Sequence, residues 1–214
     1  MITITRSRTI EYIISVAAEA SIPERNAARE LASHLRRITG VRFSIMTPAA
    51  AGRHPVIAVG AGAALAHGLP GRALRGLGDE GLVVRTLGPH LILTGAPGAP
   101  RGTFYAVYTF LEDVLGCRWW APASAFVPKR TTLTIPRLAL RKIPVFEYRE
   151  VLYRQRWETR WSVRNKTNGL WEAPPFGIQA NWGGHHEYAG FVHTLVGHGG
   201  MIDETEFGAV VSMV

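Results

Sequence analysis

The sequence predicts an α+β domain, a mixed sheet with two helices on one face, followed by a second segment of different pattern. Three observations carry this. Two apolar stripes at helical spacing, over 22–39 and 103–115, each run into a glycine. Four short stretches between them are rich in β-branched and other apolar residues. Beyond Pro144 the pattern changes to one alternating stretch and then a helical one.

Taken in order, Thr9–Val16 (TIEYIISV) reads as a strand. In SIPERNAARELASHLRRITG, Ser21 and Glu24 form a capping box and Pro23 sits in the first turn, where its missing N–H costs little. Ala27, Ala28, Leu31, Leu35 and Ile38 give the apolar stripe, Arg36 and Arg37 suit the negative end of the dipole, and Gly40 closes the helix. Strands are expected at Arg42–Met46, Pro55–Val59, Gly81–Thr86 and His90–Thr94, the last two joined by a Gly88-Pro89 turn. The second helix, Thr103–Leu115, has Phe104, Val107, Tyr108, Leu111, Val114 and Leu115 on its apolar face and stops at Gly116. Short strands near Cys117–Trp120 and Thr132–Ile135 complete the order β-α-β-β-β-β-α-β, an α+β sandwich over residues 1–136. Residues 137–144, bracketed by prolines, read as a linker. After it VFEYREVLY alternates like a strand, and RQRWETRWSVRNKTNG reads as a helix with Gly169 as its stop.

Composition excludes several classes. A hydrophobic fraction of 47% over 214 residues is enough for a sizeable core and argues against disorder. No run approaches the roughly 18 apolar residues of a membrane span, and no secretory h-region follows the N-terminus, so the default location is the cytoplasm. One cysteine, Cys117, allows no internal disulfide and no multi-cysteine zinc site. The net charge of +8 rests on 21 Arg and 3 Lys, but the arginines are scattered, with no run longer than two and no nucleic-acid motif. No nucleic-acid partner and no membrane are expected. From Arg137 to Lys166 nine basic residues stand against three acidic ones, a solvated face or a surface for sugar acids or an acidic neighbour.

Three segments together resemble one architecture: ELASHLRRITG as a first helix, RGTFYAVYTFLEDVLGCRWWAP as a second helix and its strand, and PVFEYREVLYRQRWETRWSVRNKTNG as the start of a barrel. They resemble the N-terminal domain of family 67 alpha-glucuronidases, itself similar to the second domain of family 20 beta-hexosaminidases, as carried by bacterial glycoside-hydrolase-like proteins. The resemblance covers about Thr9 to Thr194. It implies a hexosaminidase-domain-2-like accessory module at 1–136 and an incomplete (β/α) barrel from 145 to 214, with catalysis belonging to the barrel. A barrel takes about 250 residues, whereas 70 follow Pro144. The final VGHGGMIDETEFGAVVSMV departs from the family pattern, which a truncation or a shifted reading frame would explain.

Glycosidases work with two carboxylates flanking the scissile bond. No pair here matches the family's, so the catalytic residues are unknown; Glu147, Glu150 and Glu158 lie near the barrel start, where solvated or ion-paired roles are the plainer reading. For substrate binding the resemblance points to Arg149, at the C-terminal end of the first barrel strand, where a guanidinium suits hydroxyls or a carboxylate. Glu150 lies beside it. Trp182, in a glycine-flanked loop, has a ring able to stack on a sugar or to anchor the loop, and His193-Thr194 resembles a substrate-side position of the related barrels. Asn165 and Asn168 read as cap and turn residues. His185, His186, His193 and His198 match no zinc spacing, so no metal is assigned. Gly60-x-Gly62 after a strand mimics a dinucleotide fingerprint, but Leu65 replaces the third glycine and Asp79 precedes a strand instead of following one, so no cofactor is expected. Cys117 reads as a packing thiol.

The leading expectation is a non-catalytic accessory domain and barrel fragment of a glycoside-hydrolase-like protein, inactive alone, with a carbohydrate partner such as a uronic acid or amino sugar and with self-association through the barrel fragment. The alternatives are a self-standing carbohydrate-binding or assembly module and a complete small metal-dependent hydrolase using the histidines.

Overall fold

The structure, a computed structural model, describes residues 1–146, 149 and 158–168, and the backbone of 172–173 and 178–179. The first compact unit comprises Met1–Val145 together with Pro174–Ile178, and the second begins at Phe146.

The chain opens with β1 (Ile2–Arg6) and β2 (Thr9–Ile10), a hairpin in which Arg6 faces Thr9, followed by β3 (Ile13–Ser15). The expected single strand over 9–16 is thus two strands in different sheets. Between them Glu11 N donates to Ile4 O at 3.1 Å, and the buried Tyr12 sends its hydroxyl to Pro89 O at 2.6 Å. Helix α1 (Ile22–Thr39) forms as its local signals require. Ser21 Oγ accepts from Glu24 N, the Glu24 carboxylate accepts from Ser21 N, and Gly40 closes the helix at φ 81°. Its stripe of Ala27, Ala28, Leu31, Leu35 and Ile38 is buried.

Next come β4 (Ile45–Met46), the one-turn α2 (Pro48–Ala51), β5 (Val56–Val59), α3 (Ala61–Ala66) and a 3-10 turn at Gly71–Leu74. The hairpin of β6 (Leu82–Leu87) and β7 (His90–Thr94) turns at Gly88-Pro89, with Gly88 at φ 57°. Helix α4 (Gly102–Thr109) runs on into a π-helical turn over Phe110–Val114, where Leu115 N reaches Phe110 O at 3.1 Å, and Gly116 at φ 84° ends it. Every residue from Arg101 to Leu111 is buried. The helix is therefore covered all round rather than along one stripe. It lies so close to the sheet that a Cβ on Gly102 would fall 2.4 Å from Gly81 O and one on Gly95 2.7 Å from the Gly102 backbone. Only glycine permits that approach.

The last elements of the first unit are β8 (Arg118–Ala121), β9 (Ser124–Phe126), β10 (Leu133–Ile135) and β11 (Ala139–Lys142). Strand β11 lies within the segment 137–144 read as a linker. It pairs antiparallel with β6, Leu140 opposite Val84, so that segment is an edge of the sheet and not a spacer.

The main sheet is mixed and six-stranded, in the order β11-β6-β7-β5-β3-β4. Strands β4, β3, β5 and β7 are parallel, with β6 antiparallel to β7 and β11 to β6. The expected strand at 132–135 lies outside it. As β10 it joins β1 and β2 in a three-stranded sheet, with Ile2 opposite Ile135, while β8 and β9 form a separate ribbon. The helices α1 and α4 pack on each other, α1 against β4 and β5 and α4 against β6 and β7. A second cluster joins Val56 and Ala58 of β5, Val83 and Ile92 to Ala51, Ala63, Ala64, Leu69 and Leu74. Since Ile57 and Val59 point the other way by the strand alternation, the short helices cover the opposite face, a layer not anticipated from the sequence. Among the described residues no helix is long and apolar enough to cross a membrane.

Beyond Phe146, α5 covers Thr159–Arg164, and short strands β12 (Glu172–Ala173) and β13 (Ile178–Gln179) follow. The helix read over 154–169 is shorter at its C-terminal end than expected. Lys166 takes the left-handed conformation (φ 60°), Thr167 N returns to Ser162 O, and the chain turns before the Asn168-Gly169 pair.

Candidate functional site

Of the residues expected to contact substrate, Arg149 lies among the described ones; Glu150, Trp182 and His193 lie outside them, as do Glu147, His185, His186 and His198. Arg149 is half-buried and directed at main chain. Its Nε donates to Lys166 O at 3.2 Å and its Nη1 to Phe146 O. Its backbone exchanges two bonds with the buried Asn168, Arg149 N to Asn168 Oδ1 at 2.7 Å and Asn168 N to Arg149 O at 2.9 Å. One guanidinium donor and the two Asn168 bonds thus tie Arg149 to 166–168, while Nη1 holds the side chain against Phe146 O. Asn165 Nδ2 caps Trp161 O at 2.9 Å, a capping role as its sequence context implies. Glu158 is exposed at the start of α5.

In an open sheet of parallel strands, ligands favour the crevice beyond the carboxyl ends where the strand order reverses. Here that point lies between β3, which leads through α1 to β4 on one side, and β5, which leads through α3 and the β6–β7 hairpin to β7 on the other. A side chain of the protein itself occupies it. Glu24 accepts from Ser21 N through Oε2 and from Ala61 N, at the start of α3, through Oε1, each at 2.8 Å. Gly60 (φ 89°) makes room for that carboxylate, since a Cβ there would lie 2.5 Å from Oε1. The glycines of the apparent dinucleotide fingerprint therefore accommodate a glutamate (Gly60) and a close contact with Ala17 (Gly62).

A polar cluster that sequence reasoning missed lies on the short-helix face. Ser15 Oγ and His67 Nε2 are 2.9 Å apart, and the His67 and His90 rings lie 5.0 Å between centroids. His90 Nδ1 accepts from Val56 N at 3.3 Å, which requires that nitrogen to be unprotonated and places the ring proton on Nε2. A hydroxyl beside an imidazole is the element from which nucleophile–base pairs are built. Ser15 is completely buried, however, so no substrate reaches its oxygen in this conformation. The pair instead ties the end of α3 to β3. Burial lowers both histidine pKa values, and the His90 charge adds to the lowering at His67.

A pH dependence follows. The folded state holds both imidazoles neutral, while the unfolded chain protonates them near the ordinary value of about 6.5. As pH falls through that value the unfolded state binds more protons, so stability is full above it and is lost as pH falls toward the folded pKa values. The urea midpoint should decline between pH 7.5 and 5, and the decline should shrink in His67→Gln/His90→Gln. A flat profile in the parent, or an equal decline in the double variant, would count against this.

Among the described residues no three histidine, cysteine, aspartate or glutamate side chains converge as a metal site would require. Cys117 is buried. The chain matches no protein-family model and no curated protein at a significant level.

Proposed function

We propose that residues 1–136 and their edge strand β11 serve as a non-catalytic, hexosaminidase-domain-2-like accessory domain of a glycoside-hydrolase-like protein, and that the second unit is the beginning of a (β/α) barrel. The observation that carries this reading is the use made of RGTFYAVYTFLEDVLGCRWW. The segment that bears the resemblance is scaffold. Its helix is buried from Arg101 to Leu111, its glycine stops it, and Trp119 turns inward while Trp120 is 65% exposed. The crevice filled by Glu24 supports a non-catalytic role for the same unit. Val145 and Phe146, 90% and 71% exposed, suit the proposed self-association.

Catalysis by the family's route needs a positioned acid and base, each contributing about 10²–10⁴-fold. Purified monomeric protein should therefore release no aryl group above background from aryl glucuronides, aryl N-acetylhexosaminides or aryl glucosides. Turnover that disappears on Glu150→Gln or His193→Ala would overturn the reading in favour of a complete small enzyme.

A further inference from the structure

We propose that the groove between the β1–β2 hairpin tip, the C-terminal end of α1 and residues 129–132 binds a short acidic oligosaccharide. The groove encloses about 690 Å³ and is lined by Arg8, Arg37, Lys129 and Arg130, with Thr131 and Thr132 beside them. That volume lies within the roughly 300–1,000 Å³ of small-ligand sites. No carboxylate is among the lining residues.

Lys129 serves the helix end, but the three arginine side chains do not. A helix C-terminus attracts positive charge through its unpaired carbonyls, but these carbonyls are already occupied. Thr39 Oγ1 donates to Leu35 O at 2.8 Å, Gly40 N to Arg36 O at 2.8 Å, Lys129 Nζ to Arg37 O at 2.6 Å and Arg130 N to Ile38 O at 2.9 Å. Arg8, Arg37 and Arg130 line the groove, and among the described residues none of the three is in an ion pair.

The hairpin tip adds an independent observation. Ser7 and Arg8 both lie in the left-handed region, at φ 47° and 68°. A two-residue turn of this kind favours Asn-Gly, because side chains at positive φ are strained. The strained tip is fastened over the groove by Arg8 N to Thr131 O at 2.9 Å and Ser7 N to Thr132 Oγ1 at 3.1 Å. Strained residues of this kind cluster at functional sites. Here the side chain presented is an arginine delivered to three other cations.

Guanidinium forks match carboxylate or sulfate oxygens bidentately, and threonine hydroxyls suit sugar hydroxyls. No aromatic ring lines the groove, so nucleic-acid bases find no stacking platform. The oxyanion site stands on the groove alone; the sugar body of its ligand rests on the carbohydrate reading above.

The test is calorimetric titration of the full chain with a uronate trisaccharide, a sulfated trisaccharide, a neutral trisaccharide, tripolyphosphate and a short oligothymidylate. At least one acidic trisaccharide should bind, with the two acidic probes separating carboxylate from sulfate. The neutral trisaccharide should not bind, and affinity should fall as salt rises from about 50 to 300 mM. Arg37→Gln and Arg130→Gln, both at exposed positions, should each weaken binding about tenfold, near 1.4 kcal/mol. Arg8→Gly should weaken binding while raising the thermal midpoint, a combination that a merely structural arginine would not produce. Binding of tripolyphosphate or oligothymidylate without the acidic trisaccharides would overturn the proposal through its sugar. Acidic-trisaccharide binding indifferent to Arg37→Gln and Arg130→Gln, or no binding of any probe, would overturn it through the groove.

Discussion

Replacing Arg101 with alanine should destabilise the first unit by about 3–5 kcal/mol, the usual cost of removing one partner of a buried ion pair. Arg101 and Glu80 are 3% and 5% exposed, and Nη1 lies 3.6 Å from Oε1. The Tyr105 hydroxyl also reaches Glu80, at 3.4 Å. The loss would come mainly from removing the guanidinium beside a carboxylate held in a dry site, and only partly from the lost attraction. The backbone around the pair is tied as well, Arg101 N and Gly102 N both donating to Asp79 O, so the start of α4 depends on the same junction. The double variant Arg101→Met/Glu80→Leu removes both charges and should recover a large part of the loss. Urea unfolding at constant m-value measures both effects. A single-variant loss below about 1 kcal/mol, or a double variant as unstable as the two singles added together, would show that the pair is not coupled in this way.

Trp119→Ala should cost a similar amount, about 3–5 kcal/mol, while Trp120→Ala should stay within about 0.5 kcal/mol. The two residues are neighbours on one strand, so alternation sends their side chains to opposite sides. Trp119 is 4% exposed and packs edge-on against His34 of α1 at 5.7 Å and Tyr108 of α4 at 5.6 Å. It therefore fills the junction where the two long helices meet. Aromatic pairs of this geometry contribute beyond their buried area, and alanine would leave a cavity that two helices held on a sheet close only partly. Guanidinium denaturation of both variants gives the comparison; equal midpoints would refute the inward assignment.

What was legible in the sequence was local. The start and stop of α1 depend on Ser21, Glu24 and Gly40, all within one turn of the ends they define. The β6–β7 hairpin announces itself through Gly88-Pro89. What was not legible depends on distant pairing. Strand β1 needs β10, more than a hundred residues away; β11, between prolines, looks like a spacer until β6 is beside it; and the β1–β2 turn carries Ser7-Arg8 where a turn signal would be glycine or asparagine. The same holds for chemistry. The capping role of Glu24 follows from its three-residue offset from Ser21, but its bond to Ala61 N spans 37 residues, and the 52 residues from Ser15 to His67 leave no mark in either local pattern. The sequence places Arg149 on a barrel-like strand, whereas its engagement with Lys166 O and Phe146 O depends on how the following helix turns back.

The pairing of Ile2 with Ile135 also sets a timetable. A chain made at about 5–20 residues per second leaves β1 without its long-range partner for roughly 6–26 s after it is synthesised. In that interval it has only the short β2, across a turn that strain makes a weak nucleus. An Ile-Thr-Ile-Thr edge is the kind of strand that pairs with whatever is nearby. The three-stranded sheet is accordingly the slow, high-contact-order step of the first unit, and crowding among nascent copies would endanger this sheet before any other part of the fold.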